Sequence, residues 1–205
     1  MIPNRENAIP VRQKRLRSVH ASFFTLAPDP IHDITPSAMI RKATIQDVKA
    51  IHALLQGYGA KGELLPRPLS QLYDHLRDFR VYKDPSTERV IGCCALQFCW
   101  EDLAEIRSLA VHPDFRGRKI GARLVAEALA EARSFRIKKV FTLTYRPGFF
   151  QKLGFRFIDR SELPLKIWSD CMACVKFPNC DENALIIDLA ASPDDQDARR
   201  KTDQV

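Results

Sequence analysis

The sequence predicts a domain of the α/β (α+β) class, a mixed sheet covered by helices. Three observations carry this. Apolar runs with strand character alternate with segments whose apolar residues recur at helical spacing. Two strand-like runs, residues 90–100 and 103–111, are separated only by Glu101 and Asp102, which reads as a hairpin in mid-chain. Residues 105–122, EIRSLAVHPDFRGRKIGA, join a strand, a stop and a basic loop that opens a helix.

In order along the chain, residues 39–43 read as a first strand. Thr44 with Asp47 three residues on is a helix-start signal close to a capping box, since each side chain can satisfy a free backbone N–H. Ile45, Val48, Ile51, His52 and Leu55 then recur at helical spacing, giving a helix to about Gln56, where Gly57, Gly59 and Gly62 open a loop. A second helix is expected after Pro68, with Leu69, Leu72, Tyr73, Leu76 and Phe79 on its buried side. The hairpin follows. Its second strand stops at His112-Pro113, because proline lacks an N–H and cannot extend a ladder. The helix after Gly121 presents Leu124, Val125, Ala128, Leu129 and Ala132 as an apolar stripe. Residues 140–145 form the next strand, and a short helix over 147–153 ends at Gly154, a C-cap. Residues 155–158 and 184–189 supply the last strands.

At 205 residues the chain suits one domain with terminal extensions. Residues 1–38 read as a flexible basic arm: Arg12, Lys14, Arg15 and Arg17 cluster, prolines recur, and no period is sustained. Residues 19–27 are too short and too interrupted for the apolar region of a signal peptide, with a transit segment as the weaker alternative. Residues 39–190 form the domain, and 191–205 a charged, disordered tail. No apolar run approaches the roughly 20 residues of a membrane span, so no membrane role is expected. The net charge of +7 is spread along the chain rather than gathered in a stripe. An anionic substrate and cofactor account for it, and no nucleic-acid partner is expected. Six cysteines, with Cys93 and Cys94 adjacent in an apolar strand, read as reduced thiols of a cytoplasmic protein.

The basic loop carries the chemistry. Arg116, Gly117, Arg118 and Lys119 precede a helix whose first N–H groups have no internal partner. Free donors, the positive end of the helix dipole and basic side chains suit a pyrophosphate. The stretch resembles the acetyl-CoA-binding core of the GCN5-related N-acetyltransferases (GNAT family). That family's loop reads Arg/Gln-x-x-Gly-x-Gly/Ala after a strand ending in LAV-x-P. Arg116, Gly121 and Ala122 fit the loop, and Leu109, Ala110, Val111 and Pro113 fit the strand; Lys119 stands where the first motif glycine is expected. The resemblance implies the acyl-CoA N-acyltransferase fold, a mostly antiparallel sheet whose central strands, here 103–111 and 140–145, splay around the acyl-CoA arm. It implies acetyl-CoA as co-substrate, held by Leu109, Ala110, Val111, Arg116, Gly117, Arg118, Lys119, Ile120, Gly121, Ala122, Phe149 and Phe150. The late family motif, aromatic-x-x-x-Gly-Phe, is FQKLGF at 150–155. Family members often carry tyrosine at the first of these positions as general acid for the departing thiolate. Phe150 cannot serve, so the thiolate is protonated otherwise or leaves as an anion.

The segments GELLPRP (62–68), AEIRSLAV (104–111), FTLTYRPGFFQKLGF (141–155) and SELPLKIWSDCMACVKFPNCDENA (161–184) narrow the resemblance to amino-acid N-acetyltransferases. They are most similar to the short, single-domain N-acetylglutamate synthases of bacterial arginine biosynthesis. The implied reaction moves an acetyl group from acetyl-CoA to the α-amine of L-glutamate. Arg67 and Lys166 match glutamate-binding positions, with Lys176 and Arg107 as secondary candidates; the plainer reading of each is a solvated surface charge. Glu105 is the expected general base, acting through water on the substrate ammonium, with a pKa raised by burial or a neighbouring carboxylate. Its plainer reading is a surface-facing glutamate. Transfer is expected to be direct, in a ternary complex, with strand N–H groups near Leu109 stabilising the oxyanion. The alternatives are acetylation of another small amine, or a non-catalytic CoA- or metal-binding regulator. Cys171, Cys174 and Cys180 include a C-x-x-C spacing, but a structural zinc site takes four ligands, so no metal is expected and zinc stays a minor alternative. A homodimer is left open.

Overall fold

Seven strands, β1 (Ile40–Lys42), β2 (Phe79–Lys83), β3 (Val90–Phe98), β4 (Leu103–Val111), β5 (Lys139–Thr144), β6 (Arg156–Phe157) and β7 (Asn183–Asp188), form one sheet. Their order is β1-β2-β3-β4-β5-β7-β6. Every neighbouring pair is antiparallel except β4 and β5, which run parallel. The computed structural model describes residues 39–164 and 179–189. The expected arm and tail, together with Lys166, Lys176, Cys171 and Cys174, lie outside the described residues.

Helices cover both faces. On one side α1 (Val48–Gly59) and α2 (Leu69–Asp74) bury Val48, Ile51, Leu55 and Leu72 against Phe79, Val81, Cys93 and Ala110. On the other, α3 (Ile120–Ser134) and α4 (Pro147–Gln151) lie over Cys94, Leu96, Ala104, Ile106 and Val140. The predicted stripe of α3 is buried in full. Cys93 and Cys94, adjacent in β3, project to opposite faces as the two-residue period requires, and both thiols are free and buried. Among the described residues, no helix is long and apolar enough to cross a membrane.

The predicted start of α1 is present. Asp47 Oδ2 accepts from the Thr44 backbone N–H at 2.7 Å and from its hydroxyl at 2.9 Å, and Arg41 clamps the same carboxylate at 2.6 and 3.0 Å. A single 3₁₀ turn, Ile45–Asp47, leads into the helix. Three expectations need correction. First, α1 continues through Gly57 to Gly59 instead of stopping near Gln56. Tyr58 packs on the core and donates its hydroxyl to the Val111 carbonyl, which holds another turn together. Secondly, residues 79–83 are a strand the pattern did not suggest. Phe79 and Val81 are buried on the α1 side and belong to a period of two, not to the preceding helix. Thirdly, α2 is correspondingly short, and only Leu72 of its stripe is buried, with Leu69 and Tyr73 exposed.

Candidate active site

The parallel pairing of β4 with β5 covers three residue pairs: Leu103 with Lys139, Ala104 with Val140, and Glu105 with Phe141. Beyond Glu105 and Phe141 the strands part, as the family resemblance implies. The backbone edge of β4 beyond Glu105 is left without a ladder partner on β5. The gap opens into a cleft of about 570 Å³, lined by Ile106 to Val111 on one wall and by Thr142 to Thr144, Arg146 and Phe149 on the other.

A bulge shapes the first wall. Between β3 and β4 the register shifts, so that Cys93 faces Ala110 but Ala95 faces Arg107, and Ser108 takes a left-handed φ of 53°. One extra residue in β4 re-aims the backbone of Ser108 and Leu109 next to the cleft.

At the mouth lies the basic loop. Pro113 to Phe115 form a 3₁₀ turn, Gly117 has φ 78°, and Lys119 caps α3 in the left-handed region at φ 58°, ψ 11°. The substitution of lysine for the motif glycine therefore falls on a backbone conformation that glycine favours. Gly121 lies against the Phe149 ring, which a Cβ there would meet at a contact distance of 3.4 Å. Arg116, Gly117, Lys119, Ile120, Gly121 and Ala122 all line the cleft, while Arg118 is stacked on the Phe115 ring at 4.9 Å and is absent from the lining. Phe149 and Phe150 close the base, packed edge to face at 5.1 Å, and Phe150 in turn meets Phe155.

Glu105 sits where β4 and β5 begin to part, one residue before the first lining residue of its strand. It is 9% exposed, which removes the surface-facing reading. Its carboxylate lies 3.6 Å from Arg107 Nη1, two residues on along the same face, and Arg107 also donates to the Gln97 side-chain carbonyl. Arg107 lines the cleft. Arg67 is half-buried in the loop before α2, three residues beyond Leu64, which does line it.

Tyr58, Glu63 and Arg146 are among the lining residues that had no assigned role at the sequence level. Tyr58 reaches the site from α1; its hydroxyl accepts from Arg116 Nε at 3.1 Å, and its ring lies under the Arg116 guanidinium at 5.1 Å. That contact, opposed by burial and aided by Glu63, raises the Arg116 pKa above its ordinary value. Glu63 accepts from Arg146 Nη2 at 2.9 Å. Arg146 stands two residues beyond the end of β5, so its place at the gap follows from topology, which the helix reading of 147–153 did not reveal. Cys180 is half-buried, 3.7 Å from Glu182 Oε2, and no cluster of metal-ligating side chains occurs among the described residues.

Comparison with known proteins gives these features a context. Residues 50–155 match the acetyltransferase (GNAT) family. An uncharacterized N-acetyltransferase of Chlorobaculum tepidum is 42% identical over 149 residues, 72% of this chain and 94% of that protein. An amino-acid acetyltransferase of Mycobacterium tuberculosis is 35% identical, over 64% of this chain and 76% of its own length. Among solved structures, N-acetylglutamate synthase from Neisseria gonorrhoeae, complexed with coenzyme A and N-acetyl-glutamate, superposes with a TM-score of 0.67 at 29% identity. That match spans 73% of this chain and 34% of the longer enzyme. A Mycobacterium tuberculosis protein in complex with CoA superposes at 0.65 and 30% identity, over 73% of this chain and 98% of that one.

Proposed function

The chain belongs to the acetyltransferase (GNAT) family and is an acetyl-CoA-dependent acyltransferase; on that premise we propose that its acceptor is the α-amine of L-glutamate and its product N-acetyl-L-glutamate. The observation that carries this reading is the pairing of a buried carboxylate at the parting of β4 and β5 with arginines suited to an acidic acceptor. Arg107 stands beside Glu105, and Arg146 already grips a carboxylate, that of Glu63. Guanidinium groups bind carboxylates through charge-assisted hydrogen bonds, whereas a cationic amine would require an acidic pocket. The relationship to amino-acid acetyltransferases supports the same choice.

The cleft fits acetyl-CoA on its own residues. The loop N–H groups over residues 117–122, Arg116 and the α3 terminus suit a pyrophosphate, and the β4 edge at Leu109, Ala110 and Val111 suits an amide-bearing arm that continues a ladder. The bound co-substrate supplies an activated thioester carbonyl. Glu105 takes the proton that leaves the acceptor's ammonium, through water, so that the amine is neutral when it attacks. Backbone N–H groups at the bulge near Leu109 stabilise the charge that develops on the carbonyl oxygen. As that charge collapses the C–S bond breaks and CoA leaves as its thiolate, which takes its proton from solvent because Phe150 offers none. The new amide nitrogen gives its remaining extra proton to water. No cysteine is suited to carry the acetyl group in β3: burial pushes the Cys94 thiol up to about 12 and Cys93 higher still. The burial of both β3 thiols favours direct transfer in a ternary complex.

The deciding experiment measures CoA thiol release with acetyl-CoA and a panel of amines. L-Glutamate is expected to give the highest kcat/KM, with aspartate and glutamine poorer and spermidine inert. A higher kcat/KM with spermidine than with glutamate would overturn the acceptor assignment.

A further inference from the structure

Glu63 joins two cations that belong to opposite walls of the cleft. Its Oε2 lies 2.9 Å from Arg146 Nη2 and 3.4 Å from Arg116 Nη2. Arg116 follows β4 and opens the basic loop, while Arg146 follows β5, so one carboxylate spans the gap where the strands have parted. Two guanidinium groups converging on one carboxylate oxygen form a site for an anionic oxygen group. The protein's own side chain occupies it.

We propose that Glu63 is a specificity-determining residue, an internal anion that must be displaced by an anionic oxygen group of a ligand, either a phosphate of the co-substrate or a carboxylate of the acceptor. The residue is placed to exchange. It stands in the loop between α1 and α2, next to Gly62, which holds the left-handed φ of 68°. The contacts are open to water: the side chains of Arg146, Arg116 and Glu63 are 64%, 41% and 29% exposed, and ion pairs this accessible are weak. Arg116 also keeps its place without Glu63, because Tyr58 holds it by hydroxyl and ring. Displacement therefore frees both guanidinium groups without disordering the one in the basic loop.

Where the acceptor's carboxylate is the displacing group, the consequence is selectivity by charge. An acceptor with a carboxylate offers the arginines a replacement partner, whereas a neutral or cationic amine leaves them closed by Glu63. Leu64 lines the same cleft and Arg67 lies four residues beyond Glu63, so release of the carboxylate also acts on the segment that carries the candidate acceptor-binding arginine. The acceptor half of this inference rests on the proposed function; the co-substrate half rests on family membership alone.

The test uses Glu63→Gln, which keeps size and removes charge, with Glu63→Ala as a second variant and thermal denaturation to verify folding. One arm titrates CoA by calorimetry at low salt without acceptor. The other measures KM at saturating acetyl-CoA for whichever acceptor the wild type turns over. Displacement by phosphate predicts a CoA Kd lower by about three- to tenfold in the variants, and displacement by carboxylate predicts a similar fall in acceptor KM with kcat moving less. Either gain should shrink at 0.5 M salt, where the Debye length falls to roughly 4 Å. Folded variants with unchanged constants in both arms overturn the proposal. So does weaker binding, which would make Glu63 itself a ligand-holding group. If glutamate proves not to be the acceptor, wild-type turnover fails with glutamate while the CoA arm still reads out.

Discussion

Lys119 holds a left-handed backbone at φ 58° where glycine would be free of strain. A non-glycine residue in that region costs roughly 1–2 kcal/mol, partly offset by the greater chain entropy glycine loses on folding. Lys119→Gly is therefore expected to raise stability by about 0.5–1 kcal/mol in denaturant unfolding, and the comparison of CoA affinities then isolates what the ammonium contributes. Glu105 poses the other question at this scale. It is buried beside Arg107 where β4 and β5 part, and as general base it would act on the acceptor without touching the cofactor loop. Glu105→Gln should lower kcat by roughly 100-fold or more, the ordinary range for losing a positioned base, with the KM for acetyl-CoA within about threefold. Equal losses in both constants would assign Glu105 to architecture instead.

Two elements hold the site through contacts outside it. Gly92 in β3 lies under the start of α3: a Cβ there would come within 3.1 Å of Ile120 Cγ2 and Leu124 Cδ1. Gly92→Ala should cost about 1–3 kcal/mol by overpacking and, because Ile120 follows Lys119 directly, should also weaken CoA binding. Calorimetric titration and urea unfolding separate the two effects. At the start of α1, burial alone would raise the Asp47 carboxyl, but Arg41 and the Thr44 donors outweigh it and hold its pKa at about 2. A depressed carboxyl stabilises the fold above its unfolded pKa of roughly 4, and that contribution is lost as pH falls through the folded value. Asp47→Asn should thus cost about 1–2 kcal/mol at pH 7, the partial exposure of Arg41 trimming the figure, and the gap from wild type should close between pH 4 and 2.

At the scale of the whole molecule, the sheet is two blocks, β1 to β4 and β5 to β7, joined across the parallel seam by only three residue pairs. A co-substrate that binds along the open edge of β4 bridges both blocks, so its binding should stabilise the molecule as a whole. CoA at 100 times its Kd should add about 2.7 kcal/mol to unfolding free energy, read as a rise in Tm. Hydrogen exchange should slow most over residues 106–111 and 117–122. A rise in Tm with protection confined to the loop would mean that the β4 edge does not take the arm.

The periodicities of β3, β4 and α3, the hairpin, the proline stop after Val111 and the capping residues of α1 were legible because local chemistry dictates each of them. Strand β2 was not, since Phe79 continues the apolar spacing of the helix before it, and only the sheet assigns it with Val81 to a period of two. The basic loop could be read as an anion site, but its partners could not. Tyr58 is 53 residues from its contact at Val111, and Glu63 is 53 residues from Arg116 and 83 from Arg146. Sequence patterns report neighbours within a turn or a strand. The sequence alone thus determined most of the elements, β2 excepted, and the anion-binding loop. Only the tertiary structure decided where β4 and β5 part, that Glu105 is buried at that point, and which carboxylate two arginines share, because those depend on side chains brought together across the sheet.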